Sequence, residues 1–230
     1  LSSICRHPKL QERIPGFKVR MGFGLHYGWA VECAIGSFRK IDASYLSPHV
    51  NFASRLEDAT KQYGVDILIS AMAFRLLPEY VQRLCRLVDR VTFKGSFQPL
   101  TIYTYDVPHR APTATRALPP RAVTRAKSIS HASAPDLPTP DHVAAFFSEN
   151  SPATDENFRQ VYENAVGFYL GGPDGQLADW HKARASLAEC LALRPVDGPC
   201  KTIQAYIEAQ ARPDGSHPEW WAGYRPLESK

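Results

Sequence analysis

Cysteine is scarce in this chain. Cys5, Cys33, Cys85, Cys190 and Cys200 are odd in number, scattered, and without metal-ligand spacing. They read as reduced thiols in a cytosolic setting rather than as a disulfide framework. Long apolar runs are also missing: no window approaches 18 continuous apolar residues, which excludes a transmembrane helix in the sequence shown. The opening Leu1-Ser-Ser-Ile-Cys-Arg-His-Pro8 has no initiator methionine, no signal-like apolar core and no acidic pair. Neither sign of charge dominates. Lys and Arg number 27 against 23 Asp and Glu, and the net +4 is too small to argue for nucleic acid as a partner. What is present is a 230-residue chain, 44% hydrophobic, long enough for one or two domains with a core.

The most informative stretch is Pro48-His-Val-Asn-Phe-Ala-Ser-Arg-Leu-Glu57. At about 100° per residue, Phe52, Leu56, Ala59 and Tyr63 fall in one sector of a helix, and Asn51, Arg55, Asp58 and Gln62 in another. One stripe packs, and the other faces a groove or solvent. Ser47 is a good N-cap, Pro48 suits the first helical position, and Gly64 stops the helix. Its anion-favouring end therefore lies next to Asn51. Taken alone, an Asn and an Arg one turn apart are ordinary surface residues, so the surrounding sequence decides.

Around this helix, short alternating or apolar runs bounded by glycine read as strands: Phe17 to Gly28, Trp29 to Gly36, and Lys40 to Tyr45. After it come a strand over Val65 to Ser70, a short amphipathic helix from Ala71 to Leu77, and strands over Arg86 to Phe93 and Pro99 to Tyr105. A Lys94-Gly95 turn joins the last two as an antiparallel hairpin.

This order of segments closely resembles the C-terminal half of the catalytic domain of class III adenylyl and guanylyl cyclases. The resemblance rests on His26-Tyr-Gly28 with Ala34-Ile-Gly36, on Lys40-Ile-Asp42, and on Val50-Asn-x-Ala-Ser-Arg-Leu-Glu57. It continues in Thr60-Lys-Gln-Tyr-Gly-Val65 with Leu68-Ile-Ser70, and in Leu87-Val-Asp-x-Val-x-x-Lys-Gly95 with Pro99. It implies an α+β fold, a partial ferredoxin-like cyclase domain with an antiparallel sheet, that works as a head-to-tail dimer with nucleotide bound between two such domains. It also implies Mg2+ or Mn2+ held by two aspartates near the start of the domain. Nothing before Phe17 resembles that metal-binding strand, so the metals are expected to sit on a part of the domain not present in this chain, which alone would be inactive. By resemblance, Asn51 orients the ribose and Arg55 contacts the α-phosphate in the transition state. A guanidinium fits that role because it stays charged and matches phosphate geometry.

Two more site residues follow from the resemblance. Ser44, seven residues before Asn51, falls where the family reads the purine edge; the alternative is a plain strand serine. Lys94 matches the first lysine of the family's Lys-Gly-Lys pattern, as a candidate for substrate phosphates, while Ser96 replaces the second; the alternative is a solvated turn lysine. Ser47-Pro48 in place of the usual Gly-Asp is a departure that concerns loop shape.

Three regions are expected: residues 1–107 as the cyclase half, 108–140 as a basic, disordered linker rich in Pro, Ala and Ser, and 141–230 as a small all-α tail. Arg125-Ala-Lys-Ser128 in the linker has the basic-then-serine arrangement that many kinases favour. In the tail, Phe158, Val161, Ala165, Phe168 and Tyr169, then Trp180, Ala183, Leu187, Cys190 and Leu191, recur at helical spacing, resembling a tetratricopeptide-type hairpin. The full protein is thus expected to be a nucleotide cyclase making cAMP or cGMP and pyrophosphate from ATP or GTP. Its expected partners are the nucleotide, a second cyclase domain and a protein for the helical tail, with no nucleic acid. Its expected place is the cytoplasm, or the cytoplasmic face of a membrane should an upstream part carry a transmembrane segment. A degenerate dimerisation or regulatory domain, and a scaffold acting through its helical tail, are the competing readings.

Overall fold

The computed structural model describes residues 8–16, 21–93, 96, 98–105, 156–172, 175 and 177–227. The expected linker, with Ser128, and the Lys94-Gly95 turn lie outside them. The described residues belong to one compact unit, in which the stretch before Tyr105 and the stretch after Asp155 pack together.

The chain order begins with α1 (Pro8–Arg13), β1 (Phe23–Leu25), β2 (Val31–Ser37), β3 (Lys40–Leu46) and α2 (Pro48–Tyr63). It continues with β4 (Ile67–Ser70), α3 (Ala71–Phe74), α4 (Glu79–Gln82), β5 (Cys85–Phe93) and β6 (Leu100–Tyr105). After the undescribed stretch come α5 (Glu156–Leu170), α6 (Trp180–Leu193), α7 (Gly198–Gln210) and β7 (Arg225–Leu227). The result is a mixed α+β architecture. Five strands form one sheet in the order β1-β4-β6-β5-β7, and β2 and β3 form a separate antiparallel ribbon. β5 and β6 pair antiparallel, as the hairpin reading expects, whereas β1 with β4 and β5 with β7 pair in parallel.

Helix α2 forms where its local signals place it. Ser47 Oγ accepts from the His49 amide, Pro48 occupies the first turn, and Gly64 closes the helix at φ 63° with its amide donating to Thr60 O. Its apolar stripe delivers Leu56, Ala59 and Tyr63 into a core with Leu68, Val88, Val91, Phe93, Ile102 and Leu227. The helix lies directly on β1 because Gly24 has no side chain: a Cβ there would stand 2.2 Å from Ala53 O.

The helical stretch builds a second core around Tyr162, Tyr169, Trp180, Leu187, Ile203 and Trp221. It is joined to the first by polar contacts, buried around Arg86 and Asp89 and exposed at the end of α2. Arg86 on β5 donates to Asp197 at 2.5 Å, and Asp197 also caps α7 by accepting from the Cys200 amide at 2.9 Å. Tyr63 donates to Asp89 Oδ2 at 2.6 Å, and Arg225 on β7 brings its guanidinium to 3.9 Å from the same oxygen. Thr202 donates to Gln62 O at 2.8 Å, so α7 grips the last turn of α2. Burial raises the Asp89 pKa to about 6, because taking a carboxylate out of water outweighs the opposing pull of Arg225 and of its hydrogen bonds.

Candidate active site

The N-terminal half of α2 carries the candidate side chains. Asn51 is exposed and Arg55 half-buried, one turn apart on the face turned away from the Leu56–Tyr63 stripe. Asp58 and Gln62 continue that face and are exposed. No acidic residue occupies the first turn, so the helix end beside Asn51 keeps its affinity for negative charge. Ser44 sits near the end of β3, three residues ahead of the N-cap. It pairs with Cys33 in the ribbon, and its backbone carbonyl accepts from the Cys33 thiol at 3.6 Å. The structure thus carries Asn51 and Arg55 on one rigid element and Ser44 on the ribbon that leads into it. Lys94 lies outside the described residues. Beside it, Ser96 donates its amide to Phe93 O at 2.8 Å and its hydroxyl to Gln98 O, which makes it part of the turn.

The first turn of α2 is fastened to the segment between β1 and β2. Ser47 Oγ donates to Trp29 O at 2.5 Å while accepting from the His49 amide at 3.0 Å. The His49 ring lies against Gly28, where a Cβ would come within 2.1 Å of the imidazole, so only glycine leaves room for it. His26 Nε2 and His49 Nδ1 are 2.8 Å apart, and His26 Nδ1 is 2.9 Å from Ser70 Oγ. Phe52 and Trp29 flank the pair with ring centroids 5.5 Å from His26 and 5.8 Å from His49, respectively. Burial, and then the proximity of His49, pull the His26 pKa below its usual 6.5. The role of these histidines escapes a sequence reading, although His26-Tyr-Gly28 and Pro48-His49 both lie within segments already picked out; a separation of 23 residues hides the contact.

Among the described residues, no group of three or more His, Cys, Asp or Glu is gathered so as to hold a metal ion. The described residues therefore offer no ligand set for a divalent cation. No described helix is long and apolar enough to cross a membrane.

A relative supplies the remaining observation. Over 87 residues, 37% of its length, the chain is 37% identical to an adenylate cyclase of Anabaena cylindrica. It is similar there to adenylate cyclases. A terminal-differentiation-specific adenylate cyclase of Dictyostelium discoideum shares 32% identity over 94 residues, 39% of this chain. Adenylate cyclase 1 of Rhizobium meliloti shares 32% over 90 residues, again 39% of this chain. These matches support a cyclase-related domain. The chain spans only 17%, 4% and 13% of the lengths of those three proteins. No protein-family model matches it. A bacterial light-regulated adenylyl cyclase of known structure is 26% identical, with 37% of this chain and 23% of that chain covered at a TM-score of 0.31.

Proposed function

We propose that the cyclase-related stretch is the ribose-orienting and transition-state half of a nucleotide cyclase, which converts ATP or GTP into the 3′,5′-cyclic nucleotide and pyrophosphate. The relatives' names favour ATP and cAMP. In this reaction the ribose 3′-oxygen bonds to the α-phosphorus, the bond from that phosphorus to the bridging oxygen breaks to release pyrophosphate, and the hydroxyl proton passes to water. Negative charge builds on the α-phosphoryl oxygens as this happens. Arg55 is assigned to meet that charge, since a preorganised guanidinium stabilises it without rearrangement. Asn51, with one acceptor and two donor hydrogens, is assigned to hold the ribose in line for attack. Ser44 is assigned to the purine edge and Lys94 to the phosphates.

The observation that carries this reading is the placement of Asn51 and Arg55 one turn apart on a helix that is capped, packed and tied down, in a chain similar to adenylate cyclases over 87 residues. Support for a second cyclase domain as partner comes from apolar side chains left uncovered on β1 and the ribbon, Phe23, Val31, Ile35 and Ile41 among them. We read the core of this half as ferredoxin-like, and α5 with α6 as a tetratricopeptide-like pair whose apolar faces meet in one core. We assign any Mg2+ or Mn2+ to a part of the cyclase domain not present in this chain, and the protein to the cytoplasm or the cytoplasmic face of a membrane.

The test is product formation. Full-length protein incubated with ATP or GTP should release cAMP or cGMP, while this chain alone should release neither with Mg2+ or Mn2+. Absence of product from the full-length protein with both nucleotides would favour the degenerate-domain reading.

A further inference from the structure

The contacts that fasten the first turn of α2 play no part in the reaction as assigned above, yet they are built like a device. Two imidazole nitrogens 2.8 Å apart can hold one proton between them: one ring donates and the other accepts. When both rings are imidazolium, each facing nitrogen carries a proton, the hydrogen bond is lost, and two cations stand with ring centroids 5.1 Å apart and planes within 21°. The rings cannot easily separate. His49 is pressed on Gly28, His26 is tied to Ser70 Oγ at the end of β4, and that same oxygen accepts from the Ala73 amide at 3.2 Å to cap α3. The groups packed on the pair are Phe52 from α2, Trp29 and Gly28 from the segment before β2, and Ser70 from β4. Among the described residues, the titratable group that acts on His26 is His49.

We propose that His26 and His49 are a positioning pair, which holds the first turn of α2, and with it Asn51, in register while the facing nitrogens share a single proton, and which lets go when both are protonated. This rests on the reading of Asn51 as the ribose-orienting residue. Burial and the neighbouring ring hold the His26 pKa below 6.5, so the sign is fixed. The tie is fully present above about pH 6.5 and is lost as pH falls through the lower value of the folded protein.

The experiment measures kcat and KM for ATP across roughly pH 5.5 to 8.5 in the full-length protein, its His49→Phe variant and its His49→Asn variant. Phe keeps the ring but has no acceptor, and the Asn amide oxygen restores an acceptor where Nδ1 stood. His49→Phe should lower kcat about 10-fold to 100-fold with KM changed less than about twofold, as expected when a reacting group is displaced by a fraction of an ångström. His49→Asn should recover most of that loss and shift the acid limb of the kcat profile to lower pH. A His49→Phe enzyme with wild-type kcat and a wild-type profile would overturn the proposal. A 15N NMR titration of the imidazoles in the unmodified protein reads the pair without relying on turnover. Coupled titration with a shared hydrogen bond supports it; two independent rings titrating at the ordinary value refute it. If that titration supports the pair while no variant and no wild type makes cyclic nucleotide, the cyclase reading fails and the proton-sharing pair stands.

Discussion

The two ends of the sheet, β7 and β1, are covered differently. At the β7 end Tyr63 and Trp180 are fully buried, and Arg225 and Leu227 keep only 6% and 7% of their surface in contact with solvent. At the β1 end, Phe23 and Leu25 remain 46% and 45% exposed. On the ribbon, Ile41 is 70% exposed and Phe38 wholly so. Local hydrophobicity therefore says which residues want cover, not what provides it. The helices and β7 finish one end, whereas the other presents the kind of apolar surface that marks an interaction site.

That contrast can be broken first at Asp197. Asp197→Ala leaves Arg86 buried without its carboxylate and removes the cap of α7. Breaking a buried pair in this way costs about 3 to 5 kcal/mol, read as a lower urea midpoint. A loss below about 1 kcal/mol would mean that the closed end is not held by this pair.

Tyr63→Phe is a smaller change at the same end. It removes the hydroxyl that donates to Asp89 and should cost about 1 to 3 kcal/mol. Unfolding that leaves the midpoint unmoved would show that the Asp89 network is dispensable.

The same network should leave a signature in the pH dependence of stability. The Asp89 pKa lies above its ordinary 3.8, at about 6, so its contribution is fully present below about pH 3.8 and fades as pH rises through about 6. Comparing wild type with Asp89→Asn across that window isolates this slope; identical slopes would contradict the burial argument.

At the open end the expectation reverses. Ile41→Thr should shift stability by no more than about 0.5 kcal/mol, as substitutions at exposed positions do. A shift of the size predicted for Tyr63→Phe would show that the ribbon is covered after all.

How much of this is legible in the sequence depends on the range of the signal. Helix α2 is legible from Ser47, Pro48, its 3.6-residue stripe and Gly64, all of them local cues, and the four-residue spacing of Asn51 and Arg55 follows once the helix is recognised. The β5–β6 hairpin is legible from two runs separated by a short turn. Strand β7 is not, because Arg225-Pro-Leu227 carries no periodicity of its own. It pairs where a buried guanidinium finds Asp89 and the rings of Tyr63 and Tyr206, each 5.0 Å away. Helix α4 is a single turn after Pro78 with no pattern of its own, whereas the equally short α3 is legible because its residues open an amphipathic run to Leu77, although the helix itself stops at Phe74. The His26–His49 contact needs a fold to bring two distant segments together, and so does the packing of Thr202 onto the end of α2.

Whether α2 presents a transition-state arginine is read from the rate of cyclic nucleotide formation by full-length protein carrying Arg55→Ala, with its melting temperature taken alongside. Arg55→Ala should lower kcat about 10²-fold to 10³-fold, the usual cost of removing one preorganised charge donor. KM should change less, because the charge Arg55 meets develops in the transition state, and the melting temperature separates a loss of catalysis from a loss of fold. An Arg55→Ala protein that turns over like wild type would make Arg55 an ordinary helix-face residue and leave the transition state without its assigned arginine.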